Sequence, residues 1–203
     1  MIKLLIAEDQ ALLLSALSSL LDLEDDLQVV HKACDGKDAL DFILNSQKHE
    51  IDIVLTDIEM PQITGIELAQ SIQKKRPEIK TIILTTFSRA GYLRRAMDAG
   101  IKGYLLKDSP SSELLLAIRK VANGGRVIAP ELLQEAWIEQ DPLTDKEIKA
   151  LRLAREGKST EQIAEALHLS AGTIRNYLSS ASSKLNAKNR IEAARIAHQK
   201  GWL

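Results

Sequence analysis

The sequence predicts an α/β fold, a doubly wound parallel sheet of five strand–helix units, followed by a second, all-α domain built on a helix-turn-helix. Three observations predict it. Short apolar runs at residues 3–7, 51–56, 81–84 and 102–106 read as strands buried on both faces, and helical patterns separate them. Each run is followed by a polar residue, Asp9 (after Glu8), Asp57, Thr85 or Lys107. From Pro142 onward the strand signal disappears and only helical patterns remain.

The elements follow in order. The strand at 3–7 leads to a helix over 11–21, and a second strand over 28–33 leads to a helix over 36–46. The third strand ends at Asp57, and Pro61 and Gly65 punctuate the loop before a helix over 66–75. The fourth leads to a helix around 92–99, closed by Gly100 in the preferred C-terminal position. The fifth ends at Lys107; Pro110 suits the first turn of the next helix, and Asn123, Gly124 and Gly125 stop it. Residues 124–141 read as a linker with a short helix over 131–139. Thr144 and Glu147 then form a capping-box pattern, which opens a helix to about 156. Further helices cover 160–167, 170–185 and 191–200, with a break at His168 and Leu169. The expected domains are therefore 1–123 and 142–203, joined by the linker.

A chain of 203 residues has room for both. Hydrophobic residues make up 45% and aromatic residues 3%, so the cores must be aliphatic. No apolar run approaches the ~20 residues of a membrane span, and no signal-peptide pattern opens the chain. The expectation is a cytoplasmic protein without direct membrane contact. A single cysteine, Cys34, excludes an internal disulfide and a cysteine-based metal cluster. The net charge of −1 hides a division: residues 1–141 carry −6 and residues 142–203 carry +5. A basic half on an acidic one points to a polyanionic partner.

In doubly wound sheets, chemistry gathers outside the carboxyl ends of the strands. Asp57 would be a nucleophile, its carboxylate attacking phosphorus to give an acyl phosphate. Glu8, Asp9 and Asp57 supply oxygen ligands for Mg2+, and the backbone carbonyl of Glu59 completes the shell. Lys107 offers a mobile point charge to a phosphate oxygen, and Thr85 a hydroxyl hydrogen bond. Singly, each residue has an ordinary explanation, since loops after strands are polar and threonine favours strands. Their joint number, order and placement favour the site.

These residues resemble the receiver pattern of bacterial two-component response regulators. The resemblance rests on Glu8–Asp9, Asp57–Ile58–Glu59–Met60–Pro61, Thr85, and Gly103–Tyr104–Leu105–Leu106–Lys107. It implies a (βα)5 flavodoxin-like receiver, phosphorylation of Asp57 by a sensor histidine kinase, and a requirement for Mg2+. It also implies a switch in which Thr85 moves toward the phosphate and Tyr104 turns inward. Two departures stand out. Asp108 follows Lys107 where many receivers have proline, and Glu59 adds a charge two residues beyond the nucleophile.

No acidic residue occurs from Ala166 through Ile191, although Arg175, Lys184, Lys188 and Arg190 do. An acid facing DNA would be repelled by its phosphates. The second half resembles the NarL/LuxR type of helix-turn-helix, through Leu143–Thr144–Asp145–Lys146–Glu147, Gly157–Lys158–Ser159, Ile163–Ala164, Thr173–Ile174, Lys184–Leu185 and Asn189–Arg190. The resemblance makes residues 170–185 the recognition helix. Arg175 and Asn176 are then the expected base readers. Thr173, Lys184, Lys188 and Arg190 are expected phosphate contacts, and Ser179 stands where relatives often carry a base-contacting lysine.

Regulation calls for a readout, and dimerisation is the expected one. The leucine-rich helices at 11–21 and after Pro110 carry more apolar surface than one sheet-facing stripe requires. A homodimer through Leu13, Leu17 and Leu115 is expected, bound to double-stranded DNA with two half-sites. Linker residues Leu132, Leu133 and Trp137 covering that surplus are the alternative. Two other functions compete. Aspartyl-nucleophile phosphatases share the acyl-phosphate chemistry, but they place the nucleophile after the first core strand. A protein-binding second half is the other. Within the family, Thr85–Thr86–Phe87–Ser88–Arg89–Ala90–Gly91–Tyr92 and Lys107–Asp108–Ser109–Pro110 look most like regulators of membrane-lipid desaturases. That likeness implies control of membrane-lipid genes; related regulators answer envelope stress.

Overall fold

The computed structural model describes residues 1–47, 50–86, 90–129 and 141–203. The chain forms two compact units, one of Met1–Ser88 and Leu93–Gln134, the other of Arg89–Tyr92 and Glu135–Leu203. The helix expected over 131–139, with Leu132, Leu133 and Trp137, lies outside the described residues.

In the first unit, strands β1 (Ile2–Ala7), β2 (Leu27–Ala33), β3 (Ile53–Thr56), β4 (Lys80–Thr85) and β5 (Gly103–Leu106) alternate with helices. The helices are α1 (Ala11–Leu21), α2 (Gly36–Asn45), α3 (Gly65–Lys75), α4 (Ala90–Asp98, in this unit from Leu93) and α5 (Ser111–Ala122). All pairings are parallel, in the order β2-β1-β3-β4-β5, with a sixth strand beside β5. The last strand, β6 (Val127–Ile128), falls in the stretch that the sequence assigns to the linker. Two residues are too few for alternation to register, and β5 recruits them through Val127 N–H to Lys102 O, at 2.9 Å.

Alternation along the strands feeds two cores. Leu4 and Ile6 face a layer with Leu114, Ile118 and Val121 of α5 and Leu21 of α1. Leu5 and Ala7 face the other, with Ala39 and Ile43 of α2 and Leu68 and Ile72 of α3. Helices α1 and α5 thus share one face of the sheet, as expected. Arg119 of α5 holds Asp26 and Glu24, beyond the end of α1, at 2.7–2.8 Å. The strand order reverses between β1 and β3, which opens a crevice at their carboxyl ends.

The second unit contains α6 (Asp145–Arg155), α7 (Thr160–Ala166), α8 (Ala171–Lys184) and α9 (Arg190–Gln199). The expected capping box at Thr144 and Glu147 starts α6, and Ser159 with Gln162 starts α7 in the same way. Each such cap stabilises a helix by about 1 kcal/mol. Ile148, Leu151, Ile163, Ile174, Leu178 and Ala181 form its aliphatic core with Ala193 and Ala197. The turn into α8 passes through His168 in the left-handed region, at φ 53°.

Candidate phosphoryl-accepting site and nucleic-acid interface

Parallel register levels the strand ends, with Ala7 beside Thr56 and Thr85 beside Leu106. Glu8 and Asp9 leave β1, Asp57 leaves β3, Thr85 ends β4 and Lys107 leaves β5. The Lys107 ammonium lies 2.7 Å from Glu8 Oε2 and 3.1 Å from Asp57 Oδ2. Glu8 and Asp57 are buried, whereas Asp9 is exposed. One carboxylate oxygen from each of Glu8, Asp9 and Asp57 lies within 4.8 Å of the others. Three carboxylates against one ammonium leave the cluster two charges short of neutrality. Hard oxygen donors with that deficit, open on the Asp9 side, fit a small divalent cation.

The backbone brings Asp57 into place. Its N–H donates to Ala7 O at 3.0 Å, and its Oδ1 accepts from Ile58 N–H at 2.7 Å. Gly65, the first residue of α3, packs directly over it: a Cβ there would lie 1.9 Å from Asp57 O. Burial pushes the Asp57 carboxyl up; Lys107 opposes this and Glu8 adds to it, leaving a net rise. Burial lowers Lys107, but the hydrogen bond to Glu8 and the charge of Asp57 outweigh it, so the ammonium is held more firmly. Thr85 and Tyr104 are buried, Tyr104 completely, so its ring occupies the inward position. Among the described residues no peptide bond is cis; the Lys107–Asp108 bond is therefore trans.

On α8, Arg175, Asn176 and Ser179 are exposed. Thr173 N–H and hydroxyl both meet Ser170 Oγ, at 3.1 and 2.9 Å, within the cap of that helix. Lys188 is exposed, and Arg190 donates to Thr160 Oγ1 at 3.3 Å. Lys184 has a partner within its own unit. Its ammonium is 2.8 Å from Glu147 Oε2, and 35% of its side chain stays exposed. The buried carboxylate outcompetes water for it, and no local pattern reveals a partner so distant in sequence. Burial pushes the Glu147 carboxyl up, but hydrogen bonds from Lys184, Ser180 and Thr144 bring it down to about 2.

The leucines expected at the dimer surface are part-buried. Leu17 and Leu115 are partly buried against the sheet core, and Leu13 lines a cavity of about 140 Å³ between α1 and α5 with Leu17, Leu20 and Leu114. The outward residues are Leu12, 86% exposed, and Leu116, 66% exposed. The sequence counts both within its leucine runs without singling them out, because a run of leucines hides which one faces out.

Comparisons with known proteins agree with this geometry. Residues 4–119 match the family model for the response regulator receiver domain. Residues 141–197 match that for bacterial regulatory proteins of the luxR family. The transcriptional regulatory protein DesR of Bacillus subtilis is 52% identical over 202 residues, covering 100% of this chain and 99% of DesR. The uncharacterized transcriptional regulatory protein YvfU of the same organism is 52% identical over 203 residues, with both chains covered in full. Among solved structures, RcsB of Salmonella enterica serovar Typhimurium, bound to promoter rprA with a phosphomimetic, is 26% identical with a TM-score of 0.74, covering 98% of this chain and 99% of that one. The response regulator ChrA of a heme-sensing two-component system is 33% identical with a TM-score of 0.57, covering 100% and 98%. The chain belongs to the response regulators, with a receiver domain followed by a DNA-binding domain of the luxR family.

Proposed function

We propose that Asp57 accepts a phosphoryl group from a sensor histidine kinase and that this group controls promoter binding by the second unit. The observation that carries the proposal is the Lys107 ammonium bridging buried Asp57 and Glu8 beside solvent-open Asp9. In the transfer, Asp57 Oδ bonds to phosphorus while the bond to the donor's imidazole nitrogen breaks, and the imidazole leaves with its electron pair. Lys107 is already placed to move from carboxylate to phosphoryl oxygen, and the Thr85 hydroxyl donates to another. Mg2+, held by the carboxylates of Glu8, Asp9 and Asp57 and the backbone carbonyl of Glu59, would supply charge neutralisation at the phosphoryl oxygens.

The phosphoryl group biases the receiver only through contacts that differ between its two states, here those to Thr85 and Lys107. Pairing of two receivers through α1 and α5 would bring two second units to two half-sites, with Arg175 and Asn176 of each reading bases. Phosphate contacts by Thr173, Lys188 and Arg190 would hold the register. The likeness to DesR supports membrane-lipid genes as the first targets to test. The luxR family is one of DNA-binding regulators, not of enzymes.

The test is intact-mass measurement after incubation with acetyl phosphate and Mg2+. Wild type should gain one phosphoryl group and Asp57→Asn none, and EDTA should suppress the gain. Uptake by Asp57→Asn equal to wild type would remove Asp57 from its role.

A further inference from the structure

Glu147 uses both carboxylate oxygens at once. Oε2 accepts from Thr144 N–H at 2.7 Å and from Lys184 at 2.8 Å, while Oε1 accepts from Ser180 Oγ at 2.6 Å. The first contact caps α6. The other two grip α8 at positions one turn apart, on a single flank of that helix. Only 5% of the Glu147 side chain is exposed, against 35% of Lys184. Glu147 is therefore buried, while Ser180 and Lys184 hold it from an exposed flank of α8.

The rotation of α8 follows. Ile174, Leu178 and Ala181 face the core. At ~100° per residue, Gly172, Asn176, Ser179 and Ser183 form a stripe ~60° wide on the opposite side. All four are exposed. Lys184 lies ~100° around the axis from Ser183, on the flank turned to α6. The outer stripe consists of small side chains beside Asn176, with Arg175 on its other flank. Short serine hydroxyls give little steering of their own when a helix enters a groove. Something else has to fix its roll if Arg175 and Asn176 are to meet particular base edges.

We propose that Glu147, through Ser180 and Lys184, is a positioning residue for DNA recognition, and that Lys184 serves in this lock rather than as a phosphate contact. The proposal rests on the reading of α8 as the DNA-reading helix. It separates two properties that a basic residue on such a helix would otherwise change together. A lost phosphate contact weakens binding to all sequences and lowers the salt slope by about 0.9. A lost lock lets the helix roll, which weakens binding to the preferred sequence alone.

The experiment uses the full chain treated with acetyl phosphate and Mg2+, a duplex selected by it from randomised DNA, and a mixed-sequence duplex of equal length. Affinities are measured across salt concentrations for wild type, Lys184→Met, Lys184→Arg, Glu147→Gln and Lys188→Met, with amide exchange in α6 and α8 reporting folding. Expected for Lys184→Met is a roughly tenfold loss on the selected duplex, the size of one lost base contact, with mixed-sequence affinity and salt slope unchanged. Lys184→Arg should recover most of the loss, and Lys188→Met should lower the slope by about one on both duplexes. A slope decrease for Lys184→Met matching that of Lys188→Met would overturn the proposal, as would undiminished preference for the selected duplex in both Lys184→Met and Glu147→Gln. If wild type selects no duplex, the reading of α8 itself fails, and the lock with it.

Discussion

At Asp57 the fold holds a charge it would rather not hold. Burial and Glu8 raise this carboxyl despite Lys107. A carboxyl raised in the folded state stabilises the protein below its unfolded pKa and loses that contribution as pH rises through the folded value. Asp57→Asn should therefore stabilise the metal-free receiver at pH 7, with the advantage shrinking toward acidic pH; urea unfolding in EDTA measures it, and a destabilised variant at neutral pH would contradict it. Lys107→Met should do the opposite, since it leaves two buried carboxylates facing each other, at a cost of about 3 kcal/mol. Glu147 has the reverse sign. Lowered from 4.5 to about 2, it contributes fully above pH 4.5 and loses that contribution as pH falls toward 2. Glu147→Gln should cost the second unit on the order of 3 kcal/mol at pH 7, read by amide exchange in α6 and α8, and the gap to wild type should close between pH 5 and 2. A gap independent of pH would assign the loss to packing.

At the scale of elements, the strands and helices of the receiver were legible because each strand is a short aliphatic run with a polar residue beyond it, as at Leu55–Thr56–Asp57. The site was legible for the same reason: parallel strands bring their carboxyl ends together, so Asp9, Asp57, Thr85 and Lys107 had only one edge to meet on. Strand β6 was not legible, since its two residues borrow their geometry from β5. The Lys184 contact was hidden too, because an ion pair across 37 residues leaves no local trace. In α1 and α5, composition revealed an apolar surplus but not its direction. Leu13, Leu17 and Leu115 are needed within the receiver, so charging them would damage the fold and any dimer together. Leu12→Asp with Leu116→Asp is the cleaner pair, since both side chains face out. This double variant should keep wild-type stability and phosphoryl uptake yet sediment as a monomer after phosphorylation. Dimers of unchanged stability would remove the α1–α5 surface from the mechanism. Arg119, which ties α5 to Asp26 and Glu24, should make the two helices respond as one platform.

For the whole molecule, the division of charge states the problem that phosphorylation solves. The acidic part carries −6 and the basic part +5, so the chain as a whole has little general attraction for DNA. Pairing two basic units on adjacent half-sites multiplies their contacts without changing either one, and effective concentration then favours the second binding event. Because phosphate contacts dominate such binding, the affinity of the paired form should fall more steeply with salt than that of the single form. The most direct measurement is titration of the selected duplex with full-length protein before and after acetyl phosphate treatment, with Asp57→Ala carried in parallel. Wild type should bind at least tenfold more tightly once modified, with a steeper salt slope, while Asp57→Ala stays at the unmodified level. Equal affinity of wild type before and after confirmed modification would contradict control of DNA binding through Asp57.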